Sequence, residues 1–173
     1  MGSTHLARRE TIMRILVAID ETDYSERVVQ YVGGLLRETA HTRVTLFHVL
    51  SPMPRKLLEH GGSENPAVEG QLQHQLKADQ ATWIRSEQEA ECPYLLKARD
   101  ALGKAGFPLD RVDLKFGHED DIAQNILEEA RTGGYSTVAV GRYGRSRMKR
   151  LFGGGVTDQL LRDAVGLAIW VVE

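Results

Sequence analysis

The 173-residue sequence has a single cysteine, Cys92. No internal disulfide can form, and a reducing, cytoplasmic home is the expectation. Charge of one sign is not in excess: 22 basic against 24 acidic residues leave −2. That balance argues against a dedicated nucleic-acid-binding domain, which carries a clear positive surplus. No apolar run approaches the roughly 20 residues of a membrane helix. The opening MGSTHLARRETIMRILVAID lacks a signal-peptide core. The histidines (His5, His41, His48, His60, His74 and His118) form no H-x-x-x-H pair with an acidic partner, and Cys92 has no companion. A metal site is therefore not expected. Ser25, Ser146 and Thr157 have no base nearby in sequence, so nucleophilic catalysis finds no support.

What remains is an ordinary soluble composition, 42% hydrophobic and 27% charged. The length suits one domain, since domains run to about 100–200 residues. Residues 1–12 read as a flexible polar extension, Met13 as a natural start, and 13–173 as one domain.

The run Arg14–Ile19 is continuously apolar after its arginine, as in a strand buried on both faces of a parallel sheet. A helix follows, with Val28, Val29, Val32, Leu35 and Leu36 on one stripe and Asp23 or Ser25 as its cap. Arg43–Leu50 is a second strand. Ser51–Val68, with prolines 52, 54 and 66, is a long loop. A polar helix is expected from Glu69 to about Glu91, broken or kinked by Pro93 and resumed over Tyr94–Ala105. Val112–Phe116 alternates as a third strand. The next helix runs to Ala130, with the acids after Gly117 in its first turn. Thr137–Val140 is a fourth strand, Val156–Ala164 a short helix, and Leu167–Val172 a last strand. Strand and helix alternate throughout. The expected fold is α/β: a doubly wound open sheet of five parallel strands with helices on both faces.

The segment Gly141–Gly155 follows a strand and precedes a helix, where ligands of open α/β sheets bind. It holds Arg142, Arg145, Arg147, Lys149 and Arg150 with no acid between them. Glycines admit close backbone approach, and a helix N-terminus favours anions, so the composition suits a polyphosphate. A solvated surface turn fits the same residues. Neither G-x-x-x-x-G-K-[ST] nor G-x-G-x-x-G after the first strand is present. The near-neutral total thus conceals a local positive segment.

Gly141, Gly144 and Gly154 fall on the spacing G-x2-G-x9-G, followed by Gly155-Val156-Thr157. The first strand ends in Asp20, and the second in His48-Val49. With the closing LAIWVV, these features over Arg14–Glu173 resemble the universal stress protein family. The resemblance implies a Rossmann-like, adenine-nucleotide-binding fold. It implies Asp20 as the ribose contact, Val49 as the backbone partner of adenine, and Gly141, Arg142, Gly144, Gly154, Gly155, Val156 and Thr157 as the phosphate loop. ATP, with Mg2+ as its accompanying ion, is the implied cofactor, and a homodimer the implied assembly. Without the resemblance, Asp20 reads as a strand-end turn residue, Val49 as core, and His48 as a satisfied core histidine.

The chain departs from the family pattern where a Ser or Thr follows the third glycine: Gly155 stands there. A hydrogen bond to a charged group contributes about 1.5–3 kcal/mol, so weakened phosphate binding is expected, with Thr157 a partial substitute. Gly153 replaces a common Leu, and Val165-Gly166-Leu167 replaces a Cys-Pro turn. Two readings follow. One is a stress or signalling module that binds ATP at this loop, with at most slow hydrolysis rather than enzymatic turnover. The other is a nucleotide-free dimeric interaction module of the same fold. An enzyme acting on an adenylated substrate has no identifiable base. A phospho-receiver reading of Asp20, Glu21 and Asp23 lacks an acid closing the third strand and a lysine closing the fifth.

Overall fold

The computed structural model describes residues 12–59, 61–118, 121–142 and 155–173. The sequence expectations for residues 1–11, Gly144, Gly154 and the cations at 145, 147, 149 and 150 lie outside them.

Five strands form one sheet, every pairing parallel: β1 (Met13–Ile19), β2 (Thr42–Val49), β3 (Val112–Gly117), β4 (Thr137–Gly141) and β5 (Ala168–Val172). The order across the sheet is β3-β2-β1-β4-β5. Helices α1 (Asp23–Leu36), α2 (Pro66–Lys104), α3 (Ile122–Thr132) and α4 (Val156–Asp163) are the connections that parallel neighbours require.

Strand alternation sorts the core into two layers. Ile15, Val17 and Ile19 of β1, with Val44 and Leu46 of β2, pack under α1 and α2 through Val28, Val32, Leu95 and Leu102. Leu16 of β1, with Phe47 and Val49 of β2, points the other way, onto Ile126 and Leu127 of α3 and Leu160 of α4. The central strand is thus apolar on both sides, which is why its sequence shows no alternation. The α/β doubly wound sheet with helices on both faces is as the sequence indicated.

Local differences have physical causes. The helix α1 is preceded by Thr22, which makes no side-chain cap. Its hydroxyl donates to Asp20 instead, so neither Asp23 nor Ser25 caps the helix. Leu35 is exposed and off the buried stripe. The loop after β2 contains a 3-10 turn, Arg55–Leu57, and ends sooner than expected. Asn65 accepts from the Ala67 N–H at 3.0 Å and Pro66 takes the first helical position, where its missing N–H costs nothing. From there α2 runs 39 residues without interruption, and Pro93 does not split it. Burial of Leu95, Ala98, Ala101 and Leu102 just beyond the proline holds the helical course. Helix α3 has no acid in its first turn. Asp121 is its N-cap and accepts from the Gln124 N–H at 3.0 Å.

Candidate functional site at the carboxyl ends of the strands

The strand order reverses between β1 and β4, since β1 leads to β2 on one side while β4 lies on the other. The helices leaving these two strands cover opposite faces of the sheet. A crevice opens beyond the strand ends at such a point. Asp20 follows β1, Val49 closes β2, Gly141 closes β4, and Gly155 precedes α4. Ile19 pairs with His48 in register, so Asp20 and Val49 are the next residues along two adjacent strands.

Asp20 is fixed by its own turn. Its Oδ1 accepts from the Thr22 N–H at 2.9 Å, the Thr22 hydroxyl at 2.5 Å and the Ser25 hydroxyl at 2.6 Å. The Asp20 N–H donates to Ser25 Oγ at 2.7 Å. The carboxylate is preorganised at the strand end, an acceptor suited to a hydroxyl ligand. The Val49 side chain is buried with α3 and α4, which leaves its backbone as the part that can serve a ligand. The Leu50 N–H, one residue on, donates to the Gly117 carbonyl at 2.9 Å.

Gly141 lies against α1: a Cβ there would stand 3.0 Å from the Cβ of Tyr24. Arg142 continues the sheet edge, its N–H donating to the Val172 carbonyl at 2.9 Å and its guanidinium paired with Glu173. Gly155 has extended angles, φ −73° and ψ 173°, and supplies no side-chain cap to α4. Among the described residues, a Cβ on Gly155 would meet nothing within 4 Å. The residue after the third glycine is therefore the N-cap of α4. A serine there would serve the helix and an anion with one hydroxyl. The Thr157 hydroxyl donates to the Gly141 carbonyl at 3.0 Å. That uses its only proton, so it ties α4 to β4 rather than replacing the hydroxyl missing at 155. The first amides of α4 have no helical acceptor and carry the positive end of the dipole, which fits an anion. A preorganised carboxylate acceptor and a helix N-terminus thus stand at the same end of the sheet.

Beside this crevice lies a buried polar cluster that the sequence reading did not assemble. His48 Nδ1 lies 2.8 Å from the Ile19 carbonyl, and its Nε2 meets Glu91 Oε2 of α2. The Ser51 hydroxyl donates to Glu91 Oε1 at 2.8 Å. The His48 and Glu91 side chains are only 2% and 11% exposed. Burial pushes the Glu91 carboxyl upward. Hydrogen bonds from Ser51 and His48, with the His48 charge, outweigh that and hold it below the ordinary carboxylate value. A signal was present: Glu91 stands four residues before Leu95 on the buried stripe of α2. His48 is a satisfied core histidine, and its partner is charged.

Among the described residues, no three His, Cys, Asp or Glu side chains come together as a metal-binding group. No helix among them is long and apolar enough to cross a membrane.

The sequence matches the universal stress protein family over residues 11–165. The chain belongs to that family. Solved structures show the same fold. Universal stress protein UspA from Lactobacillus plantarum is 14% identical, with a TM-score of 0.62 over 94% of this chain and 99% of that one. A universal stress protein in complex with cAMP is 17% identical, with a TM-score of 0.59 over 93% and 96%. One from Archaeoglobus fulgidus in complex with dAMP is 15% identical, with a TM-score of 0.57 over 93% and 98%. No curated protein matches the sequence.

Proposed function

We propose that this protein is a stress-response module that binds an adenine nucleotide, ATP in the cell, in the crevice at the strand-order reversal. One observation carries the reading: Asp20, Val49, Gly141 and Gly155 converge on the ends of β1, β2 and β4 and the start of α4. The preorganised Asp20 carboxylate takes a ribose hydroxyl. The backbone beyond β2 takes the base, and the first turn of α4, with the glycine loop, takes phosphate. When bound, ATP brings its own Mg2+, held mainly through phosphate oxygens. The site's part in this reading is binding and orientation, and among the described residues no group is assigned to activate a water. On this reading hydrolysis is at most slow, and the protein acts as a nucleotide-responsive cytoplasmic homodimer rather than an enzyme. Structural relatives that carry cAMP and dAMP support the choice of an adenine ligand.

The nucleotide-free interaction module is favoured by one specific observation. Gly155 lacks a hydroxyl, and that of Thr157 is committed to Gly141. A thermal-shift titration separates the two. Saturation at about 100 times the dissociation constant stabilises by about 2.7 kcal/mol. Mg-ATP, AMP and GTP that all leave the melting temperature unmoved would sink the nucleotide reading.

A further inference from the structure

We infer that His48 and Glu91 are positioning residues: a pair sharing one proton that latches the rim of β1 and β2 to α2 and so sets nucleotide affinity. The inference rests on the nucleotide reading for its consequence, though not for its geometry.

The hydrogen count follows from the partners. A backbone carbonyl only accepts, so Nδ1 of His48 carries a hydrogen and donates it to the Ile19 oxygen at 2.8 Å. On the other side Nε2 faces Oε2 of Glu91. Two lone pairs in that position would repel, so the closed contact holds one proton on the line between them. The second carboxyl oxygen accepts from Ser51. His48 is further enclosed by the ring of Tyr94 from α2, with centroids 5.6 Å apart, and that of Phe116 from β3, at 6.1 Å.

The placement gives this pair its effect. Ile19 directly precedes Asp20, and Ser51 lies two residues beyond Val49. Both shoulders of the crevice are thus tied to one carboxyl at the head of the buried stripe of α2. An apolar side chain at 91 would fill the same space at no electrostatic cost, whereas a buried charge needs its partners. What the pair adds is direction: it aims the Ile19 carbonyl and anchors the Ser51 turn.

Two variants of the full chain test this. In Glu91→Gln, the amide N–H can donate to Nε2 of a neutral imidazole while the amide oxygen still accepts from Ser51. All three links persist. In Glu91→Ala the two made by the carboxyl, to His48 and Ser51, are lost, and only the His48 bond to Ile19 remains. Losing these two weakens Mg-ATP binding about tenfold in the alanine variant, with the glutamine variant close to wild type. A third variant, Glu91→Leu, fills the space without making the links, and so gives a readout that packing alone would not move. Its Mg-ATP affinity should fall with that of Glu91→Ala, while glutamine restores it. A leucine variant that binds as tightly as wild type, or equal affinities in all four proteins, would overturn the latch. If Glu91→Ala fails to fold, the glutamine and leucine variants decide alone. If wild type binds no nucleotide, the functional reading fails, and amide hydrogen exchange at Asp20, Thr22, Leu50 and Ser51 decides the latch. Exchange faster in Glu91→Ala than in wild type, with α3 amides unchanged, supports it; equal rates refute it.

Discussion

Replacing Gly155 with serine tests the reading of α4 most finely, because two effects of one hydroxyl can be separated. The backbone at 155 already has the extended angles of an N-cap, and among the described residues a Cβ would meet nothing within 4 Å. Against those residues the substitution carries no steric penalty. Serine in place of glycine at an N-cap contributes a few tenths of a kcal/mol. Restricting the unfolded chain contributes about 0.4–1 kcal/mol more. Without ligand, the protein should gain about 0.5–1.5 kcal/mol. For a domain of this size that raises Tm by roughly 1–6 °C. Gly155→Ala is the control: it carries the same entropy gain but lacks the cap, and should trail the serine variant by about 1 kcal/mol. With nucleotide, the new hydroxyl should add a charge-assisted bond of about 1.5–3 kcal/mol where the site is dry, tightening binding roughly 10- to 100-fold. Thermal unfolding with and without Mg-ATP reads both effects. A serine variant less stable than wild type would show that the N-cap geometry is wrong. A stabilised apo protein with unchanged nucleotide affinity would show that phosphate does not approach α4.

Three further outcomes follow from the same geometry. Thr157→Val removes the bond to the Gly141 carbonyl and should cost about 0.5–1.5 kcal/mol in chemical denaturation. Nucleotide affinity should hardly change, because that hydroxyl has no second proton to give; a large loss of affinity would mean it contacts phosphate. Gly141→Ala forces a Cβ to 3.0 Å from that of Tyr24 and should cost about 1–3 kcal/mol by overpacking. A variant as stable as wild type would show that α1 yields easily at this point. Glu91 has a folded pKa below its unfolded one, so its contribution is present above the unfolded value and is lost as pH falls through the folded value. Stability measured by denaturant melts should decline over that acidic interval in wild type and less steeply in Glu91→Gln. Identical slopes would show that Glu91 is not held ionised by the fold.

Much of this architecture is written in the strands. The run from Ile15 to Ile19 is apolar on every residue because Ile15 and Val17 meet α1 and α2 while Leu16 meets α3. A strand buried on both faces announces a parallel sheet by its lack of alternation. The turn residues carried information too: Asp20 binds its own Thr22 amide, the Asx geometry that its position after a strand suggests. Strand order was not legible, since nothing local states that β4 lies beside β1. Helix α2 departs from its local signal, since Pro93 indicates a break. Tertiary burial of Leu95 and Leu102 overrides that signal, while Leu72, Leu76, Trp83 and Ile84 upstream remain only half-buried. Glu91 is not legible as a buried group on its own, because a lone carboxylate in a polar helix looks solvated. Only its phase with Leu95 and Ala98 marked it as inward, and only the sheet brings His48 to it. The meaning of Gly155 also depended on structure: in sequence it is a missing hydroxyl, and in the fold it is an uncapped helix start.

The central claim is that an adenine nucleotide occupies the crevice at the strand-order reversal. Backbone amide chemical shifts of the isotopically labelled protein, followed through a titration with Mg-ATP, test it most directly. The account predicts saturating shifts concentrated at Asp20–Thr22, Val49–Ser51, Gly141–Arg142 and Gly155–Asp158, with GTP producing much smaller ones. Shifts confined to residues away from these strand ends, or none at millimolar nucleotide, would contradict it.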